Sequence, residues 1–155
     1  MNDGRRDYPD RPWVGVGVVI WRGGEVLLAR RGRPPRQGEW SIPGGAQQVG
    51  ETVAQAAARE ALEETGLVVR PAELVAVEDA VTRDAEGAVQ YHYVIVELAA
   101  NWISGEAQAD DDATEVRWAD PIEACRLLAA NPAAVRVLRK AAALRGFGDG
   151  FTSLE

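Results

Sequence analysis

From Trp13 to Trp21 the chain alternates. Val14, Val16, Val18 and Ile20 would line one face of a strand, and Gly15, Gly17, Val19 and Trp21 the other. Gly23-Gly24 is a hairpin signal, so Glu25–Arg30 is expected to return as a second strand. A loop rich in Arg, Gly and Pro covers 31–39, and a short strand-like piece, Trp40-Ser41-Ile42, ends at Pro43-Gly44-Gly45. Thr52 and Gln55 have the spacing of a capping box. The segment Val53–Thr65 holds strong helix formers and neither Gly nor Pro, and Gly66 supplies a stop. Leu67–Val69, Leu74–Val81, Val89–Ala99 and Thr114–Trp118 read as further strands, with a turn at Asp84–Gly87. Asp120-Pro121 opens a second helix, and Asn131-Pro132 a third that reaches about Arg145. Strands interrupted by one central helix and closed by terminal helices predict an α+β domain with a mixed β-sheet, not a doubly wound one.

The length of 155 residues suits a single core. We expect a flexible lead-in over 1–12, one domain over 13–146 and a tail over 147–155. Lys and Arg number 17 against 24 Asp and Glu, a formal charge of −7, which argues against general nucleic-acid binding and against anionic membrane surfaces. The charge is uneven, because residues 1–40 carry eight Arg and only five acids. A basic mouth beside an acidic centre suits a metal-assisted site for phosphorylated ligands. Cys125 is the single cysteine, so neither an intrachain disulfide nor a Cys-based zinc site can form. The first residues contain no apolar signal region, and the Trp13–Trp21 stretch is too short to span a bilayer. A cytoplasmic protein is the expectation.

The acids of the central helix carry the most chemical information. At about 100° per residue, Glu64 lies about 40° to one side of Glu60 and Glu63 about 60° to the other. Three carboxylates on one face repel each other, and a hard divalent cation such as Mg²⁺ or Mn²⁺ would relieve that repulsion. Val53, Ala56 and Ala57 precede them, and small side chains there would leave space for a diphosphate above the helix. Leu62 and Ala58 are expected to face the core. Arg59 can pair with Glu63 or reach back to Glu51. Gly44-Gly45 would let a ligand approach the backbone, with a free carbonyl as another metal ligand. Gly15-Val16-Gly17 is not a dinucleotide fingerprint, because Ile20 stands where the third glycine belongs and no helix follows.

The spacing from Gly45 through Glu51, Arg59-Glu60, Ala61, Glu63-Glu64 and Gly66-Leu67 resembles the signature of the MutT/Nudix hydrolases, G-x5-E-x7-R-E-U-x-E-E-x-G-U, with every fixed position filled. Ala61 is smaller than the usual apolar residue there. The resemblance implies an αβα sandwich around a mixed sheet with a central catalytic helix and C-terminal helices. It implies cleavage of a nucleoside diphosphate linked to another group, assisted by Mg²⁺ or Mn²⁺. Carried over by position, Glu60, Glu63 and Glu64 match metal-binding carboxylates and Gly44 the carbonyl ligand. Arg59 matches the arginine that orients the first glutamate, and Glu51 its loop partner. The general base would be Glu63 or Glu64, or a carboxylate of the run Asp110-Asp111-Asp112. Gln48 stands where relatives often carry Glu.

The Tyr91–Val96 strand and the segment Asp110–Trp118 resemble small ADP-ribose pyrophosphatase-like members of the family. ADP-ribose or a similar nucleoside diphosphate sugar is therefore the first expected substrate, and (d)NTP housecleaning the second. Arg30, Arg31, Arg33 and Arg36 flank the expected mouth, and forked guanidinium groups suit phosphate or ribose oxygens. Trp40, Tyr91 and Tyr93 are candidate stacking surfaces for a base, and Gly45 is a candidate substrate contact. His92 reads as a structural strand residue. A non-catalytic nucleotide sensor is the alternative from another class, although the filled signature speaks against it. RNA-end hydrolysis would want a basic surface that this chain lacks. A homodimer is compatible with the resemblance and with the apolar strands.

Overall fold

The computed structural model describes residues 5–110 and 112–147. Strand β1 (Trp13–Arg22) turns at Gly23-Gly24 into β2 (Glu25–Arg31), followed by β3 (Trp40–Ser41) and β4 (Gly44–Ala46). Helix α1 (Val53–Thr65) comes next, then β5 (Val68–Arg83), β6 (Val89–Ser104), β7 (Ala113–Ala119), α2 (Pro121–Leu127) and α3 (Pro132–Leu144). The sheet runs β3-β2-β1-β6-β5, with β4 also on β1 and β7 on β2. It is mixed: β1 and β6 are parallel, and the other pairs are antiparallel.

Alternation along β1 divides the interior into two cores. Val18 and Ile20 join Leu27, Leu98 and Ala100 beneath the α1 residues Ala57 and Ala61. Val19 and Trp21 join Leu28, Val75 and Ala99 beneath Leu138, Ala141 and Ala142 of α3. Phe147 stacks on Trp21, with ring centroids 5.3 Å apart. The rest of the tail, 148–155, lies outside the described residues, as do 1–4 of the lead-in. Within the lead-in, the Tyr8 amide donates to the Gln90 carbonyl at 2.7 Å. Its hydroxyl donates to Asp84 at 2.9 Å.

The capping box of α1 is complete, and Gly66 closes the helix at φ 75°. Three expectations change. Leu67–Val69 and Leu74–Val81 belong to one long strand, β5. Pro71 is tolerated there because β5 is a sheet edge and the pairing shifts between Pro71 and Glu73. Gly44–Ala46 is a strand, not the end of one, held against Gly15–Gly17 of β1. The inner face of α1 is formed by Ala56, Ala57, Ala61 and Thr65, while Leu62 is 52% exposed. The small residues therefore bring the helix close to the sheet and leave no space for a diphosphate above them.

Candidate active site

Helix α1 lies against β4 as well as the main sheet, so its glutamates meet the backbone of Gly44 and Gly45. A Cβ on Gly45 would overlap the Glu60 carboxylate, so a larger residue there would push that carboxylate aside. The Gly44 amide donates to Glu64 at 3.3 Å. Both glycines thus serve as floor for the carboxylates.

Arg59 organises three of the acids. Its Nε donates to Glu51 at 2.6 Å, and its terminal nitrogens donate to Glu51 at 2.9 Å, Glu60 at 2.8 Å and Glu63 at 3.1 Å. A further bond at 3.0 Å reaches the Ala46 carbonyl and ties the cluster to β4. The opposite charges and short hydrogen bonds drive the Arg59 pKa far up, and the Arg59 hydrogen bond holds the Glu51 carboxyl below its usual range. Glu51 also accepts from the Gln48 amide at 2.7 Å, which folds the loop back onto the helix.

Glu64 is held differently. No ion pair to it occurs among the described residues. Burial pushes its carboxyl up to about 7. The Gly44 amide and the nearby Arg31 charge oppose that rise, while Glu60 and Asp112 reinforce it. A half-buried carboxylate among like charges, with no cation of its own, needs either a proton or a positive partner. The donor set of Glu60, Glu63, Glu64 and the Gly44 carbonyl consists only of hard oxygens, which suits Mg²⁺ or Mn²⁺. Among the described residues, however, no three acidic, His or Cys side chains already converge into a cation cage. Arg59 holds Glu60 and Glu63 in ion pairs of its own.

The predicted arginines separate by face. On β2, Leu27 and Arg31 point with α1, while Leu28 and Arg30 point with α2 and α3. Arg31 consequently lies near Glu64, its Nε donating to the Pro35 carbonyl at 2.7 Å. Arg33 pairs with Asp112 at 2.8 Å, across the same opening. Arg30 is not brought to the α1 carboxylates; it donates to the Gly38 carbonyl at 2.7 Å and approaches Glu115 at 3.5 Å. Arg36 faces Glu39 and the Ala130 carbonyl. Trp40 packs on the α2–α3 core. Of the acidic run before β7, Asp112 is close enough to act on Glu64, and the Asp110 amide donates to the Glu64 carbonyl at 3.2 Å. Asp111 lies outside the described residues.

One acid escaped the sequence reading. Glu97 is 7% exposed, on β6 directly beside Gly17. Its signal was available: it is the only acid in the 89–104 segment, in phase with buried Ala99.

A mixed sheet between a glutamate-bearing helix and two terminal helices, with an arginine clamping the acids over a Gly-Gly strand, defines a hydrolase fold built around a carboxylate-rich helix. The NUDIX domain model matches residues 11–141, and the chain belongs to that family, the Nudix hydrolases. It is 36% identical over 109 residues to an ADP-ribose pyrophosphatase of Methanocaldococcus jannaschii, covering 70% of this chain and 62% of that protein. It is 48% identical over 52 residues to an oxidized purine nucleoside triphosphate hydrolase of Danio rerio, covering 34% of this chain and 33% of that one. The chain thus spans less than two thirds of either relative. Among solved structures, a MutT NUDIX hydrolase from Burkholderia pseudomallei superposes with a TM-score of 0.65 at 33% identity, covering 73% of this chain and 86% of that one. No helix among the described residues is long and apolar enough to cross a membrane.

Proposed function

We propose that this protein is a divalent-metal-dependent pyrophosphohydrolase that cleaves the diphosphate of a nucleoside diphosphate joined to a second group, with ADP-ribose or a similar nucleoside diphosphate sugar as substrate. The observation that carries the reading is Glu64, a carboxylate raised to about 7, bonded to the Gly44 amide and lacking a cation of its own. Glu60, Glu63, Glu64 and the Gly44 carbonyl would hold Mg²⁺ or Mn²⁺. When bound, such an ion polarises phosphoryl oxygens and lowers the pKa of water.

The protein's own residues do the rest. Arg59 holds the Glu60 and Glu63 side chains on one side of the helix and locks the Glu51 loop to it, so these carboxylates would swing from Arg59 towards the ion when it binds. Arg31 supplies positive charge beside Glu64 and is placed to meet a phosphate oxygen. Arg33, paired with Asp112, brings the loop before β7 over the same opening. Glu64 or Asp112 takes the proton from the attacking water. The similarity to the ADP-ribose pyrophosphatase of Methanocaldococcus jannaschii supports the sugar substrate.

The test is hydrolysis of ADP-ribose, other nucleoside diphosphate sugars, dNTPs and dinucleoside polyphosphates, each with Mg²⁺, with Mn²⁺ and with EDTA. Metal-dependent turnover of the sugars supports the reading. Turnover confined to dNTPs would favour the second reading, a nucleotide-pool hydrolase, which the shorter match to the Danio rerio enzyme supports. No turnover with any compound would overturn both.

A further inference from the structure

Strand β5 is an edge of the sheet: among the described residues it pairs with β6 alone. Directly opposite residues of an antiparallel pair send their side chains to the same face, so the register sorts β5. Arg70, Glu73 and Glu78 stand opposite Asn101, Ala99 and Ile95, on the face that carries α2 and α3. Leu74, Val77 and Val81 stand opposite Leu98, Val96 and His92, on the face that carries α1. An exposed edge strand is normally protected by charges, and its apolar side is covered. Here the apolar side is open. Leu74 and Val77 are 58% and 59% exposed, and Val81 is exposed beside them.

The neighbouring elements extend this patch and do not cover it. Val94 and Val96 of β6 lie between β5 and β1, and Val14 of β1, in register with Val94, is exposed. Glu64 bonds to Gly44, so α1 turns that acid towards β4. Leu62 lies about 160° round the helix from Glu64. It therefore stands on the flank towards β6 and β5, and it is exposed as well. Leu62, Leu74, Val77, Val81 and Val14 leave on the order of 450 Å² of apolar surface open, about the apolar share of the roughly 800 Å² that each partner contributes to a standard-size interface. Between Leu74 and Val81, Asp79 is the only charged side chain on this face. The patch is thus nearly neutral on a chain of formal charge −7.

We propose that this face docks a second copy of the chain in a two-fold contact centred on Val77, each copy covering Leu62, Leu74, Val77, Val81 and Val14 of the other. A two-fold contact sets the same patch on both sides, so an apolar patch finds an apolar partner and needs no opposite charge. A partner recruited by charge would find only Asp79 to hold. The contact would also brace the far end of the β5–β6 hairpin. Beyond Trp13, where β1 begins, those strands have each other and the bond from the Tyr8 amide to Gln90. A two-stranded hairpin alone is marginal in water. The proposal does not depend on the hydrolase reading, and it leaves the acids on the opposite flank of α1 outside the contact.

The experiment is sedimentation velocity of the full chain over a concentration series, with Val77→Arg and Leu74→Arg beside wild type. Wild type should sediment as a dimer, and each arginine variant should weaken dimerisation by about tenfold or more. Thermal unfolding checks that the variants are folded. A second readout is Val77→Cys. Residue 77 lies near the two-fold axis, so mild oxidation should link two copies through this cysteine. Ala129→Cys, exposed after α2 and away from the patch, should not link, and the native Cys125 is buried. If neither arginine variant folds, the cross-link alone decides. A wild type that stays monomeric at about 100 μM overturns the proposal and leaves the patch to a different protein. A dimer kept at full affinity in a folded arginine variant overturns it, because the copies would then meet through another face. So does a dimer that does not cross-link at position 77, or that links equally at 129.

Discussion

The carboxylates of this molecule fall into two groups. Glu51, Glu60 and Glu63 all converge on Arg59, at hydrogen-bond distances of 2.6 to 3.1 Å. Glu64 and Glu97 receive no such cation, and burial pushes both up to about 7. The first group is satisfied within the chain and gives the site its shape. The second is kept at an energetic disadvantage when charged, because burial without a cation favours the neutral carboxyl. Similar residue types thus divide into acids paired within the chain and acids left without a cation.

Four experiments would break or sharpen that contrast. The largest effect is expected from Glu64→Gln, which should reduce kcat with Mg²⁺ by about 10²–10³-fold, the scale of losing one preorganised electrostatic group. Near-wild-type turnover would place Glu64 among the structural acids, and the same loss in Asp112→Asn alone would move the base to the loop before β7. Next is the pH dependence of Glu97. Its pKa rises from 4.5 unfolded to about 7 folded, so its share of stability is whole below about pH 4.5 and is lost as pH climbs through 7. Urea unfolding should show Glu97→Gln more stable than wild type at pH 8 by roughly 3 kcal/mol, and the gap should close by pH 4.5. An equal gap at both pH values would mean that the acid is not the cause. Third, Arg59→Ala should lose about 2 kcal/mol of stability together with activity, a modest figure for three partners because water reaches the guanidinium edge. Full stability with activity lost would make Arg59 purely a site residue. The smallest change is Thr52→Ala, which removes the capping box at the helix end remote from Glu60, Glu63 and Glu64 and should lower stability by about 1 kcal/mol while turnover persists.

Much of this was legible along the chain. The alternation of Val18, Val19, Ile20 and Trp21 predicted a strand with two distinct faces, and each of them enters its own core. Thr52, Gln55 and Gly66 marked both ends of α1, because caps are local and need only a few neighbouring residues. The site was less legible. The spacing of Glu60, Glu63 and Glu64 put them on one face, but the circular projection assigned Leu62 to the core and left open space above Ala56 and Ala57. Which arc of a helix is buried depends on where its sheet lies, and the sequence of one helix does not carry that information. Pro71 and the glycines of β4 hid strand structure for a similar reason, since an edge strand tolerates residues that a central strand would not.

By itself the sequence determined the family, the helix bearing the acids, the pairing partners within reach of Arg59, and most element boundaries. Those features rest on short spacings, where backbone geometry leaves few alternatives. The tertiary structure alone decided that Arg31 and not Arg30 stands beside Glu64, because the pleat of β2 sends adjacent side chains to opposite faces. It also decided that Glu97, far along the chain from the signature, lies in one row with Gly17 and Gly44. That row exists only after β1 has paired with β6 on one edge and β4 on the other, and register between strands distant in sequence is set by the packing of the whole sheet.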